Sequence, residues 1–213
     1  MATYDPPHDC AQCPRLAKFR RQNREAHPGF HNGPVPAFGA LEARLLIVGL
    51  APGLHGANRT GRPFTGDHAG DLLYGTIAEL GLSVGQYDRR ADDLYALTGC
   101  RVTNAVRCVP PANKPTPDEV KTCRQYLEVE LATMPNLRGI VALGQIAHRA
   151  VISAHGRKQK EFPFRHGAIH DLGAGRFLAD SYHCSRYNTN TGRLTPTMFY
   201  SMLDTATRRA ELR

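Results

Sequence analysis

The sequence predicts a three-layer α/β/α fold, in which helices cover both faces of a central, mainly parallel four-stranded sheet. Two apolar runs, at 44–50 and 137–143, have the length and composition of buried strands. Segments with helical features alternate with the predicted strands, and such alternation is typical of parallel sheets. At 213 residues the chain can bury a substantial core without disulfide bonds. We therefore expect a single domain over 1–213.

Local signals define the elements of the first half. A basic helix is predicted over 13–26, where a proline and a glycine follow it. The first strand, over 44–50, precedes a helix over 71–82 and a second strand over 99–105. A further helix begins at Thr116 and reaches about residue 134, because a capping hydroxyl, a proline and two acidic residues follow one another there.

The second half continues the alternation without internal repeats or low-complexity tracts. Its predicted elements are a strand at 137–143, a helix at 145–154, a last sheet segment at 169–172 and 176–181, and a closing helix at 195–212. This layout occurs in many unrelated enzymes, so the layout alone does not identify a function.

Charge and hydropathy narrow the possible partners. The formal net charge is +8 and arginine outnumbers lysine, which suits contact with a polyanion such as nucleic acid. No apolar stretch approaches the roughly 18 residues of a membrane span. Residues 1–10 are polar and proline-rich, unlike a secretory segment. We therefore expect a cytoplasmic protein without a membrane partner, whose six cysteines are thiols or metal ligands.

A glycine-rich loop after the first strand is the most distinctive segment of the chain. Glycine at the carboxyl end of a strand lets a ligand approach the backbone, and open α/β sheets bind ligands there. Gly56 and Gly61 have the glycine spacing of a phosphate-binding loop. However, Arg62 and Pro63 occupy the positions of its lysine and its magnesium-binding hydroxyl. These replacements disfavour a nucleoside triphosphate site.

Four of the six cysteines form two pairs. The first pair is a C-x2-C motif, and fourteen residues separate the members of the second: Cys10, Cys13, Cys108 and Cys123. Four thiolates suit either zinc or an iron–sulfur cluster, and the spacing does not separate the two. Unrelated buried thiols are a third interpretation.

A zinc finger built from the first pair with His27 and His31 is disfavoured. In such a finger both histidines lie on one helix, whereas Pro28-Gly29 separates these two. Of the remaining cysteines, Cys100 falls in a predicted strand and is expected in the core, and Cys184 is given no role.

Two long motifs carry a family resemblance. The first comprises Gly49-Leu50-Ala51-Pro52, Gly56-Ala57-Asn58-Arg59-Thr60-Gly61-Arg62 and Phe64-Thr65-Gly66-Asp67. The second is Tyr182-His183-Cys184-Ser185-Arg186-Tyr187-Asn188-Thr189-Asn190-Thr191-Gly192-Arg193-Leu194-Thr195. Their content and order resemble the uracil-DNA glycosylase superfamily, in particular its family 5 (type b) enzymes. With the paired cysteines, the resemblance spans almost the whole chain.

The resemblance implies a monofunctional DNA glycosylase of base excision repair. Such an enzyme removes uracil, and other deaminated or modified bases such as hypoxanthine and ethenocytosine, by hydrolysing the N-glycosidic bond. Its partner is DNA that contains a damaged base, and we expect a monomer. The resemblance also implies a structural [4Fe–4S] cluster on the four paired cysteines. The alternative is a non-catalytic iron–sulfur or zinc module that binds nucleic acid.

The matched motifs imply two catalytic residues. Asp67 takes the place of the catalytic carboxylate, because the start of the first motif offers no ionisable or amide side chain. The same residue is suited to cap the following helix, and Asp71 is the alternative carboxylate. His183 is expected to donate to the base as negative charge develops on it. His55 and His68, beside the first motif, are weaker candidates.

The substrate contacts follow from the same match. Phe64 corresponds to the phenylalanine that stacks on the base, and Asn104, at the end of the second strand, to the asparagine that pairs with the base edge. Leu50 and Ala51 are expected to line a roomy, weakly polar base pocket. On the DNA side, Tyr187 is expected to fill the gap left by the flipped nucleotide. The expected phosphate contacts are Arg59, Arg62, Arg186 and Arg193.

Overall fold

The computed structural model describes residues 4–213 and contains two sheets. Their strands, in chain order, are β1 (Leu45–Gly49), β2 (Ser83–Val84), β3 (Ala96–Leu97), β4 (Cys100–Asn104), β5 (Gly139–Leu143), β6 (Ile169–Gly173) and β7 (Arg176–Ser181). The main sheet has the strand order β4-β1-β5-β7-β6, and β2 pairs with β3 in a separate two-stranded sheet. The predicted three-layer α/β fold is confirmed.

The main sheet has five strands rather than the predicted four. The last sheet segment of the sequence analysis consists of two strands, because the chain reverses at Ala174, whose φ of 51° is left-handed, between two glycines. As a result β6 pairs antiparallel with β7, while the other neighbours in the sheet are parallel. The small sheet of β2 and β3 was not predicted.

The described residues also form seven α-helices. They are α1 (Pro14–Ala26), α2 (Ala57–Thr60), α3 (His68–Glu79), α4 (Pro117–Thr133), α5 (Gln145–Ala154), α6 (Arg186–Asn190) and α7 (Pro196–Arg209). Thr116 caps α4 as predicted, and together with Glu119 it forms a capping box. The helix predicted over 71–82 begins three residues earlier, because Asp67 caps it. No helix in residues 4–213 has the length and apolar character needed to cross a membrane.

Two apolar cores lie on opposite faces of the main sheet. On one face, α3 and α7 pack against alternate strand residues such as Ile47 and Val141. On the other face, α4 and α5 cover Val48 and Ile140. Successive strand residues point to opposite faces, which explains why continuous apolar runs predicted strands buried on both sides.

The first helix belongs to neither core. Instead α1 packs through Leu16 against α4, in a small cluster with Val106 and Tyr126. Of the paired cysteines, Cys123 belongs to this cluster.

The parallel strands β1 and β4 bring Gly49 and Asn104 into register at the same edge of the sheet. The candidate site lies at that edge.

Candidate functional site

Gly49 marks the point where the two predicted base contacts meet. A Cβ atom at this position would overlap both the Asn104 Oδ1 atom and the ring of Phe64. Only glycine therefore allows the amide and the aromatic ring to come together over the end of β1. Asn104 is only 2% exposed, and its side-chain amide makes no hydrogen bond with any residue in 4–213. An unpaired amide in a buried position is available for a ligand.

Asp67 caps a helix with one carboxylate oxygen and leaves the other oxygen free. Its Oδ1 atom accepts a hydrogen bond of 3.1 Å from the backbone N–H of Gly70, in the first turn of α3. Its Oδ2 atom lies where a Cβ atom of Gly56 would stand, and 3.3 Å from the corresponding position at Gly53. Oδ2 has no hydrogen-bond partner within the described chain. The two glycines thus leave space for an oxygen that can bind water or substrate.

His183 follows β7 and faces the same space. Its ring stacks on Phe64, with 5.9 Å between the ring centroids and 28° between their planes. Burial lowers the pKa of His183 below its usual value, and the negative charge of Asp67 opposes that shift. The imidazole is therefore neutral at pH 7 and can act as a hydrogen-bond donor without carrying a charge.

Asp67 and His183 line a cavity of about 330 Å³. Its lining is Leu50, Ala51, Gly53, Asp67, His68, Ala69, Asn113, His183, Ser185 and Arg186. The predicted base contacts Phe64 and Asn104 do not line this cavity directly. They lie beside it, through the stacking of Phe64 on His183 and the contact over Gly49.

Two polar residues of the lining, Ser185 and Asn113, were not predicted from the sequence. Ser185 caps α6 by accepting a hydrogen bond from the backbone N–H of Asn188, and a serine before a short helix is a recognisable signal. Asn113 reaches the cavity because it and Ala112 both adopt left-handed φ values, 56° and 54°. No sequence signal of ours indicated that this turn faces the site.

The structure overturns the prediction for Arg62. Its side chain is buried and forms a two-pronged ion pair with Asp93, with N–O distances of 2.6 and 2.8 Å. The guanidinium also lies 4.9 Å from the ring centroid of Phe38. Arg62 is therefore not available to a DNA phosphate, because contact would require removing a buried charge from its partner.

The other predicted DNA contacts are at the surface. Arg59, Arg186 and Arg193 are exposed, and 72% of Tyr187 is accessible to solvent. The Arg193 guanidinium lies 4.5 Å from the ring centroid of Tyr182. His68 hydrogen-bonds Thr189 across 3.0 Å and so joins α3 to α6, the helix that carries Tyr187. The first and last motifs therefore meet at one mouth of the cavity.

Comparison with known proteins supports the same family. The family model described as the uracil DNA glycosylase superfamily matches residues 36–207. The chain belongs to the uracil-DNA glycosylase superfamily. A Type-5 uracil-DNA glycosylase of Thermus thermophilus is 50% identical over 208 residues, which cover 95% of this chain and 94% of that protein. The resemblance predicted from the two motifs is confirmed.

The relatives of this superfamily member include glycosylases of two types. A Type-5 uracil-DNA glycosylase of Pyrobaculum aerophilum is 43% identical over 192 residues, covering 88% of this chain and 83% of that protein. A Type-4 uracil-DNA glycosylase of the same organism is 32% identical over 154 residues, covering 72% and 64%. Both the identity and the coverage are higher for the Type-5 protein.

The four paired cysteines of this uracil-DNA glycosylase superfamily member line one closed pocket between α1, α4 and the segment after β4. Several hydrogen-bond donors point at their sulfur atoms. Arg20 Nη1 lies 3.8 Å from Cys108 Sγ, and the backbone N–H of Arg107 lies 3.4 Å from Cys123 Sγ. Such donors typically surround thiolates that bind a metal group. Cys100, by contrast, is fully buried in the main core, as predicted.

Burial also affects the acidity of these thiols. It raises the pKa of Cys13 to about 11 and that of Cys108 to about 12, and the neighbouring Cys123 adds to both shifts. Each thiol must therefore lose its proton when a metal group binds.

The separation of the sulfur atoms bears on the choice between zinc and a cluster. Within the described part of the chain, no three of the four cysteine sulfurs come within 4.8 Å of one another. A tetrahedral zinc ion with Zn–S bonds of about 2.3 Å holds its sulfurs about 3.8 Å apart. The sulfurs are therefore not arranged around a single zinc ion, but the free space between them is only about 10 Å³, so the geometry does not separate zinc from a cluster.

A second cluster of metal-ligand types lies away from the cavity. His148, His170 and Asp180 place three potential ligand atoms within 4.8 Å of one another. His148 Nδ1 lies 2.7 Å from Asp180 Oδ1, and its Nε2 donates to the carbonyl of Phe162 across 2.8 Å. The second Asp180 oxygen bonds His170 across 3.1 Å. Hydrogen bonds thus account for this cluster, which fastens α5 to β6 and β7.

Proposed function

We propose that this protein, as one domain over 1–213, is a monofunctional DNA glycosylase that hydrolyses the N-glycosidic bond of uracil in DNA. The observation that carries the proposal is the convergence of Asp67 and His183 on one cavity, with Phe64 stacked on His183. Asn104 meets Phe64 over Gly49. These groups come from three separate parts of the chain.

Recognition of the base rests on Phe64 and Asn104. A glycosylase must extrude the target nucleotide from the duplex, so its site needs a surface for stacking and groups that read the base edge. The ring of Phe64 supplies the surface. The Asn104 amide offers one donor face and one acceptor face, which an imide edge such as that of uracil requires. Its lack of a protein partner supports this role.

The two catalytic residues act on opposite charges. When the bond to the base breaks, negative charge develops on the base and positive charge on the sugar. His183, neutral because of burial, donates a hydrogen bond to the leaving base. The free oxygen of Asp67 offsets the positive sugar and orients the attacking water. The glycines at 53 and 56 keep that oxygen accessible.

The lining of the cavity favours more than one substrate. Leu50 and Ala51 contribute apolar surface where a polar group would select one base. A site that cannot form selective hydrogen bonds discriminates weakly between bases of similar shape. We therefore include hypoxanthine and ethenocytosine among the proposed substrates.

DNA contact is proposed for the exposed side chains around the mouth. Arg59, Arg186 and Arg193 would contact phosphates, and Tyr187 would occupy the gap in the base stack. We also propose that the enzyme acts as a monomer. No lysine stands in a matched motif to cleave the strand, so the enzyme would only remove the base. Other repair enzymes would then process the abasic site.

We further propose that Cys10, Cys13, Cys108 and Cys123 hold a [4Fe–4S] cluster. The donors aimed at the sulfurs support a metal group in this pocket, and the family resemblance favours a cluster over zinc. When bound, the group supplies a covalent tie between α1, the segment after β4 and α4, and no step of the hydrolysis. Thiolate ligands of this kind persist in a reducing compartment, which agrees with a cytoplasmic location.

The test compares the unaltered protein with Asp67→Asn on a duplex that contains uracil. Asparagine caps helices as well as aspartate does, so this change removes the charge and retains the cap. We expect the unaltered protein to release free uracil and leave an alkali-sensitive site, with EDTA present. The variant should be slower by roughly a hundredfold or more, at an unchanged melting temperature. Equal rates would remove Asp67 from the mechanism, and absence of release from the unaltered protein would leave the non-catalytic module as the better account.

A further inference from the structure

The backbone that carries Phe64 is held by a residue from a distant segment. Tyr87, between β2 and β3, places its hydroxyl beside the loop at 62–67. The hydroxyl donates to the carbonyl of Phe64 across 3.2 Å and accepts from the backbone N–H of Gly66 across 3.3 Å. One oxygen thus fixes the peptide groups on both sides of Thr65.

The conformation held in this way is an unusual one. Phe64 has a φ of 53°, in the left-handed region that bulky residues rarely adopt. Such a residue persists only where its surroundings impose the conformation, and these positions concentrate at functional sites. Gly70 is part of the same arrangement, because a Cβ atom there would overlap the Phe64 carbonyl and stand 2.7 Å from the Tyr87 hydroxyl.

Tyr87 itself is positioned by the buried ion pair. The Arg62 guanidinium lies 5.6 Å from the ring centroid of Tyr87. Its partner Asp93 accepts backbone hydrogen bonds from Asp88, across 3.0 Å, and Tyr95, across 3.2 Å, on either side of the turn. The ring of Tyr87 also packs on Tyr74, with 4.7 Å between centroids. The pair therefore orders the segment that delivers the hydroxyl to the loop.

The ionisation of Tyr87 is consistent with its bonding. Burial raises the pKa of Tyr87, the hydrogen bond from the Gly66 backbone opposes that shift, and the charges of Asp71 and Asp67 reinforce it. The hydroxyl thus keeps its proton at neutral pH and remains a donor to the Phe64 carbonyl.

We propose that Tyr87 is a positioning residue of the glycosylase site, which holds Phe64 in the left-handed conformation that presents its ring to the flipped base. The Arg62–Asp93 pair supports Tyr87 in this role. The inference rests on the proposed function, since it assumes that Phe64 stacks on a base. It assigns a purpose to Arg62, whose predicted DNA contact the structure excludes, and to a segment that matches neither motif.

The test is Tyr87→Phe, with Tyr95→Phe as the matched control. Both changes remove one hydroxyl from the same aromatic group, but the Tyr95 hydroxyl bonds the carbonyl of Tyr74 and not the loop. With enzyme in excess over uracil-containing duplex, Tyr87→Phe should slow base release by roughly tenfold. Tyr95→Phe should stay within about twofold of the unaltered protein at a similar melting temperature.

Two further measurements separate positioning from general stability. The Tyr87→Phe variant should bind a duplex with a non-hydrolysable 2′-fluorodeoxyuridine more weakly than the unaltered protein does. It should bind a duplex with a tetrahydrofuran abasic analogue normally, because only the first duplex has a base to stack. In the double variant Phe64→Ala/Tyr87→Phe, the loss of rate should equal that of Phe64→Ala alone.

Equal rates for the two tyrosine variants, or additive losses in the double variant, would overturn the role of Tyr87 and leave the proposed function standing. If the unaltered protein released no base from the uracil-containing duplex, the proposed function would fall first, and the role of Tyr87 with it.

Discussion

At the scale of single residues, the site depends on groups that perform two tasks at once. Asp67 uses one oxygen to cap α3 and leaves the other free, so the structural task fixes the orientation of the chemical one. His183 rests on Phe64 and senses the charge of Asp67. Its burial and that charge act in opposite directions on its pKa, and burial dominates.

The balance at His183 gives a testable pH dependence. We expect its imidazole to titrate below the usual histidine value of 6.5, because burial disfavours the protonated ring. Asp67→Asn should lower the pKa further, since it removes the negative charge that stabilises the imidazolium. At pH values between the lowered pKa of His183 and 6.5, its ring thus stays neutral, whereas a free histidine is largely protonated. NMR titration of the ring carbon resonances measures both values, and a pKa at or above 6.5 would contradict the proposed neutral donor.

At the scale of elements, the sequence predicted the parts whose signals are local. The helices at 13–26, 116–134 and 145–154 and the strands at 44–50 and 137–143 agree with the structure to within a few residues. Apolar runs and capping residues suffice for these, because each signal lies within the element that it defines.

The elements that were missed are short and depend on distant contacts. The two-residue strands β2 and β3 form beside the packed Tyr87 and Tyr95, and α2 and α6 contain four and five residues. Arg62 was misassigned for the same reason, since its partner Asp93 is 31 residues away in the chain. When its partner lies far away in the chain, a buried loop arginine has the same local sequence signal as a solvent-exposed one. Of the site residues taken from the matched motifs, Asp67 and His183 line one cavity, whereas Phe64 lies beside it.

The close approach over β1 gives a prediction about glycine. Gly49→Ala should reduce base release by about a hundredfold, because its methyl group would displace both the Asn104 amide and the Phe64 ring. It should also cost about 1–3 kcal/mol of stability through overpacking. Gly75→Ala is the matched control: nothing lies within 4 Å of its Cβ position in the interior of α3. That change should stabilise the protein by about 0.5–1 kcal/mol and leave the rate unaltered. Equal rates for the two variants would contradict the proposed contact.

At the scale of the whole molecule, the cysteine pocket joins parts that the two cores do not. Helix α1 lies outside both apolar cores: its apolar contacts are with α4 and the segment after β4, and hydrogen bonds join its last turns to Asn32. Buried ion pairs reinforce this region, where Glu130 on α4 binds Arg101 and Arg107 at 2.7 and 2.6 Å. The same segment after β4 continues to Asn113, at the edge of the cavity. A group bound by the cysteines would thus stabilise the fold and one wall of the site together.

This arrangement predicts what loss of one cysteine does. Cys108→Ala should lower the bound iron and sulfide of the purified protein, reduce its visible absorbance and decrease its melting temperature, because three thiolates no longer close the pocket between α1 and α4. Cys100→Ala is the matched control, since Cys100 is buried in the main core and bonds only the carbonyl of Leu82. It should lose stability through the smaller side chain and retain its iron. Full iron content in Cys108→Ala, or an equal loss of iron in both variants, would reject the four-cysteine assignment. Zinc in place of iron and sulfide would show that the pocket contracts around a single ion.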